Sequence, residues 1–262
     1  MGNRRNFVEK TFWLLAVGGL LPGLSLTSQG TLASTMQPDI ARTEEGELNK
    51  IKELVKGKIP LKWIFSGDSI TQGAKHTFGD RSYPEIFAER VRWELGRVRD
   101  FVINTAISGN TSKDILNDFD WRIGQFKPNI VSVMVGTNDA SEKKEISRGL
   151  FRQNNLDLVD KIRETGAIPI LQTPNIIITE KAKGRERINE YVLVTRDVAE
   201  QKKVVLVDHF AYWNNAQSKN EVLKKWLNDE LHPNGAGHVQ MAQLLFRKLS
   251  IFDPNSFTCK ES

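Results

Sequence analysis

The sequence predicts an α/β fold in which helices cover both faces of a parallel β-sheet. Three observations lead to this prediction. Short apolar segments alternate with amphipathic helical segments from Leu61 onward, which is the order that builds parallel sheets. The apolar segment at 129–136 is almost unbroken, as in a parallel strand that is buried on both faces. Polar motifs that contain glycine directly follow the first three predicted strands, where such folds bind their ligands.

The composition is that of one large folded domain with additional segments. The chain has 262 residues, of which 39% are hydrophobic and 26% are charged, so a sizeable core can form. The formal net charge of +5 is spread along the chain rather than clustered, and we therefore expect no nucleic-acid partner. The single cysteine, Cys259, excludes an intrachain disulfide and a cysteine-based metal site, and we interpret it as an inert or disordered tail residue.

The N-terminal segment 1–33 is predicted to be an export signal peptide. Basic residues precede a short apolar stretch at 12–24, and Ala33 lies in a small-residue region that suits cleavage. The stretch RRNFVEK also resembles a twin-arginine signal, so we expect a periplasmic or extracellular protein without a stable membrane partner. A retained anchor and a buried helix are the alternatives, although the apolar stretch is short for a membrane span.

Three further parts of the chain are predicted to follow the signal peptide. Residues 34–60 form a linker and a surface helix, residues 61–252 form the α/β domain, and residues 253–262 form a C-terminal tail. The surface helix is expected at 43–56, because its glutamates lie early and its lysines lie late, which suits the helix dipole.

The first half of the α/β domain is predicted to contain two strands and two helices. KWIFSG at 62–67 is a short strand that ends at a glycine. Ser-Tyr-Pro-Glu at 82–85 is a capping box, and it opens a helix with apolar residues at four-residue spacing. FVINTA at 101–106 is the second strand, and Thr111 can cap the helix that follows it.

The second half continues the same alternation. The predicted elements are a strand at 129–136, a helix at 145–165, a strand at 167–173, a helix at 185–201, a strand at 204–208 and a helix at 235–249. Gly166 ends the first of these helices. Pro169 must lie at the start of its strand or where no ladder hydrogen bond is needed.

Four polar motifs of the domain supply the parts that acyl transfer requires. Ser69 follows the first strand, Gly109 the second and Asn138 the third, and Asp229 lies three residues before His232 ahead of the last helix. A serine hydroxyl becomes a good nucleophile when a histidine takes its proton, and a carboxylate orients that histidine. Backbone N–H groups and an asparagine amide can stabilise the charge that forms on the acyl oxygen.

These motifs resemble those of the SGNH/GDSL hydrolases, a family of serine esterases. The four residues that name the family correspond to Ser69 in GDSITQG, Gly109 in NTAISGNT, Asn138 in VGTNDA and His232 in DELHPN. The resemblance extends over about 62–249. It implies a three-layer α/β/α sandwich with a five-stranded parallel sheet, similar to flavodoxin.

The resemblance also implies a role for each residue. Ser69 is the nucleophile, and its backbone N–H is one donor of the oxyanion hole. Gly109 supplies a second backbone donor, and Asn138 a third through its side chain. His232 is the general base and then the general acid, and Asp229 is the carboxylate that orients it. No metal and no cofactor are implied.

Several of these residues also have simpler interpretations. Ser69 and Asn138 are both residue types that are common in turns, and Ser69 could cap a helix. The other motifs favour the catalytic interpretation. Asp68 and Asp139 are interpreted as residues that tie loops together.

Other polar residues of the domain also allow more than one interpretation. Asp208 and His209 offer a second acid and base pair, but adjacent side chains cannot easily share one orientation, so a structural role is favoured. His238 is interpreted as a histidine on a helix face. Arg81 and Tyr83, in the loop after the nucleophile, are candidate substrate contacts.

The sequence therefore predicts an exported serine esterase without a cofactor. Its substrate is expected to be an acetyl or other short acyl ester on a carbohydrate. A lysophospholipase, a broad short-chain esterase or thioesterase, and an inactive carbohydrate-binding module are the alternatives. The sequence contains no Gly-x-Ser-x-Gly elbow, no phosphate-binding or dinucleotide-binding glycine motif and no His-Glu-x-x-His motif.

Overall fold

A computed structural model of the chain describes residues 42–220 and 222–260. The predicted signal peptide at 1–33 and most of the linker after it lie outside these residues. No helix within the described part of the chain is both long enough and apolar enough to span a membrane.

The described residues form one parallel sheet of five strands. The strands are β1 (Lys62–Gly67), β2 (Phe101–Asn104), β3 (Ile130–Met134), β4 (Ile168–Thr173) and β5 (Val205–Asp208). Their order across the sheet is β2-β1-β3-β4-β5, and every neighbouring pair is parallel. This is the flavodoxin-like order, so the predicted fold class is confirmed.

Ten α-helices lie within residues 42–220 and 222–260. They are α1 (Glu44–Lys56), α2 (Ser69–Gln72), α3 (Tyr83–Glu89), α4 (Ser112–Asn117), α5 (Phe119–Arg122), α6 (Arg148–Glu164), α7 (Ile188–Lys202), α8 (His209–Asn220), α9 (Val222–Trp226) and α10 (Gly235–Lys248). Helices α1, α3, α8 and α10 contribute to one apolar core, whereas α4, α5, α6 and α7 contribute to another. The two cores make the fold a three-layer α/β/α sandwich.

Residues of the central strands alternate between the two cores. In β1, Trp63 and Phe65 belong to the core under α3 and α10, whereas Ile64 belongs to the core under α6 and α7. In β3, Met134 and Val133 alternate in the same way. Because successive side chains of a strand point to opposite faces, a strand covered on both sides needs an unbroken apolar run.

The sequence signals at helix starts agree with the observed helices. Ser82 and Glu85 form the predicted capping box of α3, and Thr111 caps α4. Four of the helices, α2, α5, α8 and α9, were not predicted from the sequence. Helix α2 is a single turn capped by Asp68, and α8 begins at His209 directly after β5 without a separating loop. The α8 sequence is rich in asparagine and lacks a regular apolar stripe, so its periodicity provided no signal.

The C-terminal segment corrects one interpretation from the sequence. Cys259 is not in a disordered tail, because it is only 5% exposed and packs in the core with α10. The π-helical turn that extends α3 over Arg90–Glu94 holds this segment in place. Arg90 Nε donates to the carbonyl of Ile251 at 2.8 Å, and Thr258 N donates to Glu94 Oε1 at 3.0 Å.

Candidate active site

The candidate active site lies at the carboxyl ends of three neighbouring strands. Because β1 lies between β2 and β3, the loop that carries Ser69 is flanked by the loops that carry Gly109 and Asn138. Ligands of such sheets bind where the chain leaves neighbouring strands in opposite directions, which here is between β1 and β3. The strand order therefore brings together three motifs that are far apart in the sequence.

Ser69 is the first residue of α2 and is held by the residue before it. Asp68 Oδ1 accepts a hydrogen bond from Ile70 N at 2.9 Å and so caps the helix. Ser69 is 7% exposed, and its Oγ lies 2.9 Å from His232 Nε2. A serine beside an imidazole at this distance can lose its proton directly to the ring.

Asp229 orients His232 within one short loop. His232 Nδ1 lies 2.7 Å from Asp229 Oδ2 and 3.0 Å from Asp229 Oδ1. With the proton on Nδ1, the ring donates to the carboxylate and leaves Nε2 free to accept from Ser69. A continuous set of hydrogen bonds therefore runs from Ser69 through His232 to Asp229.

The carboxylate of Asp229 is held in its charged form. Burial alone would raise its pKa, but hydrogen bonds from Leu231 N, from His232 N and from the imidazole outweigh burial and lower the pKa. Both backbone donors reach Oδ1, at 2.8 Å and 2.7 Å. The loop therefore folds around the carboxylate that it presents.

Other contacts hold this loop against the rest of the domain. Asn175 Nδ2 donates to the carbonyl of Leu231 at 3.1 Å, and Ile178 N donates to the carbonyl of Glu230 at 2.9 Å. Asn175 is fully buried and follows β4 closely. Sequence reasoning missed it, although its position after a strand end was a usable signal.

The predicted oxyanion hole has three hydrogen-bond donors, which are two backbone N–H groups and the side-chain amide of Asn138. The backbone N–H groups of Ser69 and Gly109 donate to no acceptor in the described part of the protein. Gly109 has a φ of +80°, and a Cβ at this position would meet no atom within 4 Å. Glycine is favoured there by its backbone conformation, and the space beside it is open to a ligand.

The amide of Asn138 connects the loops that carry the other two donors. Its Nδ2 lies 3.1 Å from the carbonyl of Asn110 and 3.4 Å from Asp68 Oδ2. Asn110 is the neighbour of Gly109, and Asp68 is the neighbour of Ser69. The amide of Asn138 therefore contacts both loops that carry the other two predicted donors of the oxyanion hole.

Arg185 orients this amide and was not identified from the sequence. Its Nε donates to the carbonyl of Thr137 at 3.1 Å, and its Nη2 donates to Asn138 Oδ1 at 3.4 Å. An amide whose oxygen accepts from a guanidinium turns its N–H groups to the opposite side. Arg185 lies in the basic stretch KAKGRER, which is also typical of a solvated helix start, so the sequence could not single it out.

Asp68 and Asp139 tie the loops together, in agreement with their interpretation from the sequence. Asp139 accepts from Ser112 N at 2.9 Å and from Gly136 N at 3.1 Å, so it joins the loops after β2 and β3. Burial raises the pKa of Asp68 to about 7 and that of Asp139 to about 6. The nearby charge of Asp139 adds to the rise at Asp68.

The structure contradicts the prediction that Tyr83 contacts substrate. Tyr83 is fully buried, and its hydroxyl lies 3.1 Å from both Thr71 Oγ1 and Gln172 Nε2. It is the first residue of α3, and the helix turns this side chain into the core. Arg81 forms an ion pair with Glu89, and none of its described contacts is with the predicted catalytic residues.

The remaining histidines of the domain's second half have structural partners. His209 Nε2 lies 2.7 Å from Gln172 Oε1, and burial lowers the pKa of His209 to about 3. His238 accepts from Tyr83 N at 3.2 Å, and burial lowers its pKa to about 3 as well. Asp208 pairs with Arg196 at 2.7 Å instead of with the adjacent histidine. These observations agree with the structural roles inferred from the sequence.

His76 is a further residue at the site that sequence reasoning did not single out. Its ring stacks on the ring of His232, with centroids 3.5 Å apart and planes inclined by 12°. Nitrogen or oxygen atoms of His76, Asp229 and His232 lie within 4.8 Å of one another. Stacked imidazoles direct their lone pairs in parallel planes, so these rings would have to turn before both could bind one metal ion.

Comparison with known proteins identifies the family of the chain. Residues 65–240 match the family described as GDSL-like Lipase/Acylhydrolase. An acetylxylan esterase of Geobacillus stearothermophilus is 29% identical over 212 residues, which cover 72% of this chain and 93% of that protein. The uncharacterized lipoprotein YqeF of Bacillus subtilis is 28% identical over 184 residues, 60% of this chain and 75% of that protein.

Solved structures share the fold. A variant of Axe2, an acetyl xylan esterase from Geobacillus stearothermophilus, is 25% identical with a TM-score of 0.65, covering 76% of this chain and 100% of that one. LAE5, an alpha/beta hydrolase from the metagenome of Lake Arreo, is 22% identical with a TM-score of 0.64, covering 74% of this chain and 98% of that one. The chain is a carboxylic ester hydrolase and belongs to the GDSL-like lipase/acylhydrolase family.

Proposed function

We propose that this esterase removes acetyl or other short acyl groups from a carbohydrate through an acyl-enzyme on Ser69. One observation carries the catalytic part of the proposal. Ser69, His232 and Asp229 form a continuous hydrogen-bonded set with distances of 2.9 Å and 2.7 Å. This is the arrangement that activates a serine for attack on an ester.

In the first half of the reaction, His232 Nε2 takes the proton of Ser69 as Oγ attacks the acyl carbon. The carbonyl oxygen becomes negative and accepts hydrogen bonds from Ser69 N, Gly109 N and the amide of Asn138. The bond from the acyl carbon to the sugar oxygen then breaks. His232 gives its proton to the leaving oxygen, and the acyl group stays on Ser69.

In the second half, water takes the place of the released sugar hydroxyl. His232 removes a proton from the water, whose oxygen attacks the acyl carbon. The bond from that carbon to Ser69 Oγ breaks, and Oγ recovers the proton from His232. The products are the free carboxylic acid and the unmodified enzyme. Asp229 stays ionised and stabilises the imidazolium that forms in both halves.

The choice of substrate rests on two supports. One is the 29% identity to an acetylxylan esterase, over an alignment that covers 93% of that relative. The other is the predicted export signal, because an exported esterase meets extracellular polymers rather than cytosolic thioesters. A lysophospholipase or a broad short-chain esterase would share the same catalytic set and differ in the acyl groups accepted.

The experiment that tests the substrate class is a panel of esters of graded length. We expect release of acetate from acetylated xylo-oligosaccharides, and a decrease of kcat/KM as the acyl chain of p-nitrophenyl esters is lengthened. A purified enzyme that cleaves only long-chain lysolipids would contradict the proposal. A chain that hydrolyses no ester and still binds xylan would instead indicate a carbohydrate-binding module.

Asn138→Ala is expected to lower kcat about 10²–10³-fold, because one donor to the developing oxyanion is lost. KM should change little, since the amide acts mainly on the transition state. Steady-state kinetics with p-nitrophenyl acetate measure both constants. Thr137→Val is the matched control, because Thr137 is buried next to Asn138 and its Oγ1 has no hydrogen-bond partner among the described residues. If Asn138→Ala keeps the kcat of this control, Asn138 is not part of the oxyanion hole.

Phe78→Ala is expected to weaken binding of the sugar part of the substrate. Phe78 is 83% exposed, adopts a φ of +53° and lies two residues from His76, whose ring contacts His232. A bulky residue in this backbone region is rare and often marks a function. An aromatic contact is worth about 1 kcal/mol, so KM for acetylated xylo-oligosaccharides should rise about five-fold.

The same variant should leave KM for p-nitrophenyl acetate unchanged, because that ester has no sugar. Phe101→Ala is its control. Phe101 is 64% exposed and is the first residue of β2, whereas the candidate site lies at the carboxyl ends of the strands. Equal effects of the two variants on oligosaccharide KM would remove Phe78 from the substrate-binding surface.

A further inference from the structure

His76 covers one face of the imidazole that is predicted to act as the base. The ring centroids of His76 and His232 are 3.5 Å apart, and the ring planes differ by 12°. The edge of the His232 ring is occupied on both sides, by Asp229 at Nδ1 and by Ser69 at Nε2. The side chain of His232 is consequently only 12% exposed, although that of Asp229 is 41% exposed.

The backbone of His76 is attached to the loop that carries His232. Asn228 Nδ2 donates to the carbonyl of His76 at 2.7 Å, and Asn228 N donates to the carbonyl of His232 at 2.8 Å. His76 N donates in turn to the carbonyl of Gly73 at 2.9 Å, within a short 3₁₀ turn. Asn228 therefore joins the two loops, because its side chain is bonded to the loop of His76 and its backbone to the loop of His232.

Two hydrogen bonds at the edge of a ring restrain it less well than two such bonds and a packed face. Asp229 and Ser69 hold the nitrogen atoms of His232, but the ring can still tilt about the line that joins them. A tilt of this kind changes the direction of the Nε2 lone pair relative to Ser69 Oγ, and proton transfer depends on that direction. An aromatic ring at stacking distance opposes the tilt on the side that it covers.

We propose that His76 is a positioning residue, which holds the imidazole of His232 in the plane from which Nε2 reaches Ser69. The proposal rests on the proposed function, because it concerns the same base. For this role the side chain of His76 has to supply a flat aromatic face, and it does not have to donate or accept a proton. Nothing in the stack requires the nitrogen atoms of His76 to bind substrate or metal.

The charges around His76 suit a neutral ring. The groups that act on it are His232, Asp229 and Lys75. Burial lowers the pKa of His76, and the neighbouring His232 and Lys75 lower it further, whereas Asp229 raises it. A neutral His76 can remain stacked when His232 becomes an imidazolium during the reaction, since an aromatic face tolerates a cation.

The test compares His76→Ala with His76→Phe. Phenylalanine keeps a flat ring and cannot carry a proton or bind a metal, whereas alanine removes the stack. We expect His76→Ala to lower kcat for p-nitrophenyl acetate about 10- to 100-fold, as a misoriented catalytic group does. Its KM should stay near the wild-type value. His76→Phe should recover most of the lost kcat, and Lys75→Ala, in the same turn, should behave as wild type.

Thermal unfolding of each variant separates positioning from loss of structure. A positioning effect lowers kcat and leaves Tm near the wild-type value. Wild-type kcat in His76→Ala would overturn the proposal. So would a His76→Phe variant as impaired as His76→Ala, because the imidazole itself would then be required.

Labelling of Ser69 by an organophosphonate tests the proposed function separately. Labelled wild-type protein with unaffected His76 variants rejects the positioning role alone, and unlabelled wild-type protein rejects the serine mechanism.

Discussion

Ser69→Ala is expected to lower kcat about 10⁶-fold, which is the cost of removing the nucleophile from a serine hydrolase. The hydroxyl has one hydrogen-bond partner among the described residues, His232 at 2.9 Å, so its loss leaves no other buried group unpaired. Alanine is also well suited to the first turn of α2. Hydrolysis of p-nitrophenyl acetate gives the kcat, and circular dichroism during heating shows whether the domain remains folded.

A second serine, three residues earlier in the chain, provides the control for this variant. Ser66 lies in β1, is fully buried, and has a hydroxyl without a hydrogen-bond partner in the described part of the chain. Ser66→Ala should therefore keep the wild-type kcat and label with an organophosphonate like the wild type. If Ser69→Ala is labelled as strongly as Ser66→Ala, Ser69 is not the nucleophile.

Asp229→Asn is expected to lower kcat about 10⁴-fold, because an amide favours the wrong tautomer of the histidine. Its oxygen can still accept the hydrogen bonds from Leu231 N and His232 N, so the loop should keep its fold. The amide nitrogen would then face His232 Nδ1 and donate to it. The ring would carry its proton on Nε2, where it can no longer accept the proton of Ser69.

Asp208→Asn is the matched control, because Asp208 belongs to the Asp-His pair that directly follows β5. It accepts hydrogen bonds from Arg196, Thr173 and Ala211, and none of its described contacts is with the predicted catalytic set. This variant should lose some free energy of unfolding and keep the wild-type kcat. An Asp208→Asn variant that is less active than Asp229→Asn would reverse the assignment of the acid.

The fold could be predicted from the sequence because its signals are local. Apolar runs marked the five strands, and the first strand was predicted with the bounds that the structure shows, Lys62–Gly67. Capping residues such as Thr111 marked the starts of helices. Helices α2, α5 and α9 were not predicted, since each has only four or five residues, and α8 was not predicted because it has no regular apolar stripe. Sequence patterns also cannot distinguish a tyrosine at a helix start in solvent from one in the core, which is why Tyr83 was misassigned.

The sequence by itself determined the kind of chemistry and predicted the residues that carry it. Ser69, Gly109, Asn138, Asp229 and His232 lie in recognisable motifs, because each motif is a short stretch whose residue types are read without knowledge of its neighbours in space. The export signal and the carbohydrate substrate stay predictions. They depend on segments and ligands that the motifs do not contain.

Only the tertiary structure decided which residues support these motifs. Arg185 reaches Asn138 from the segment after β4, and Asn175 reaches the loop of His232 from the same strand end. His76 meets His232, which is far from it in the chain, by the stacking of two rings. Such contacts depend on the order of strands and on the direction of side chains at the sheet edge. A single sequence does not carry this information, because an isolated arginine, asparagine or histidine has no local pattern that names its partner.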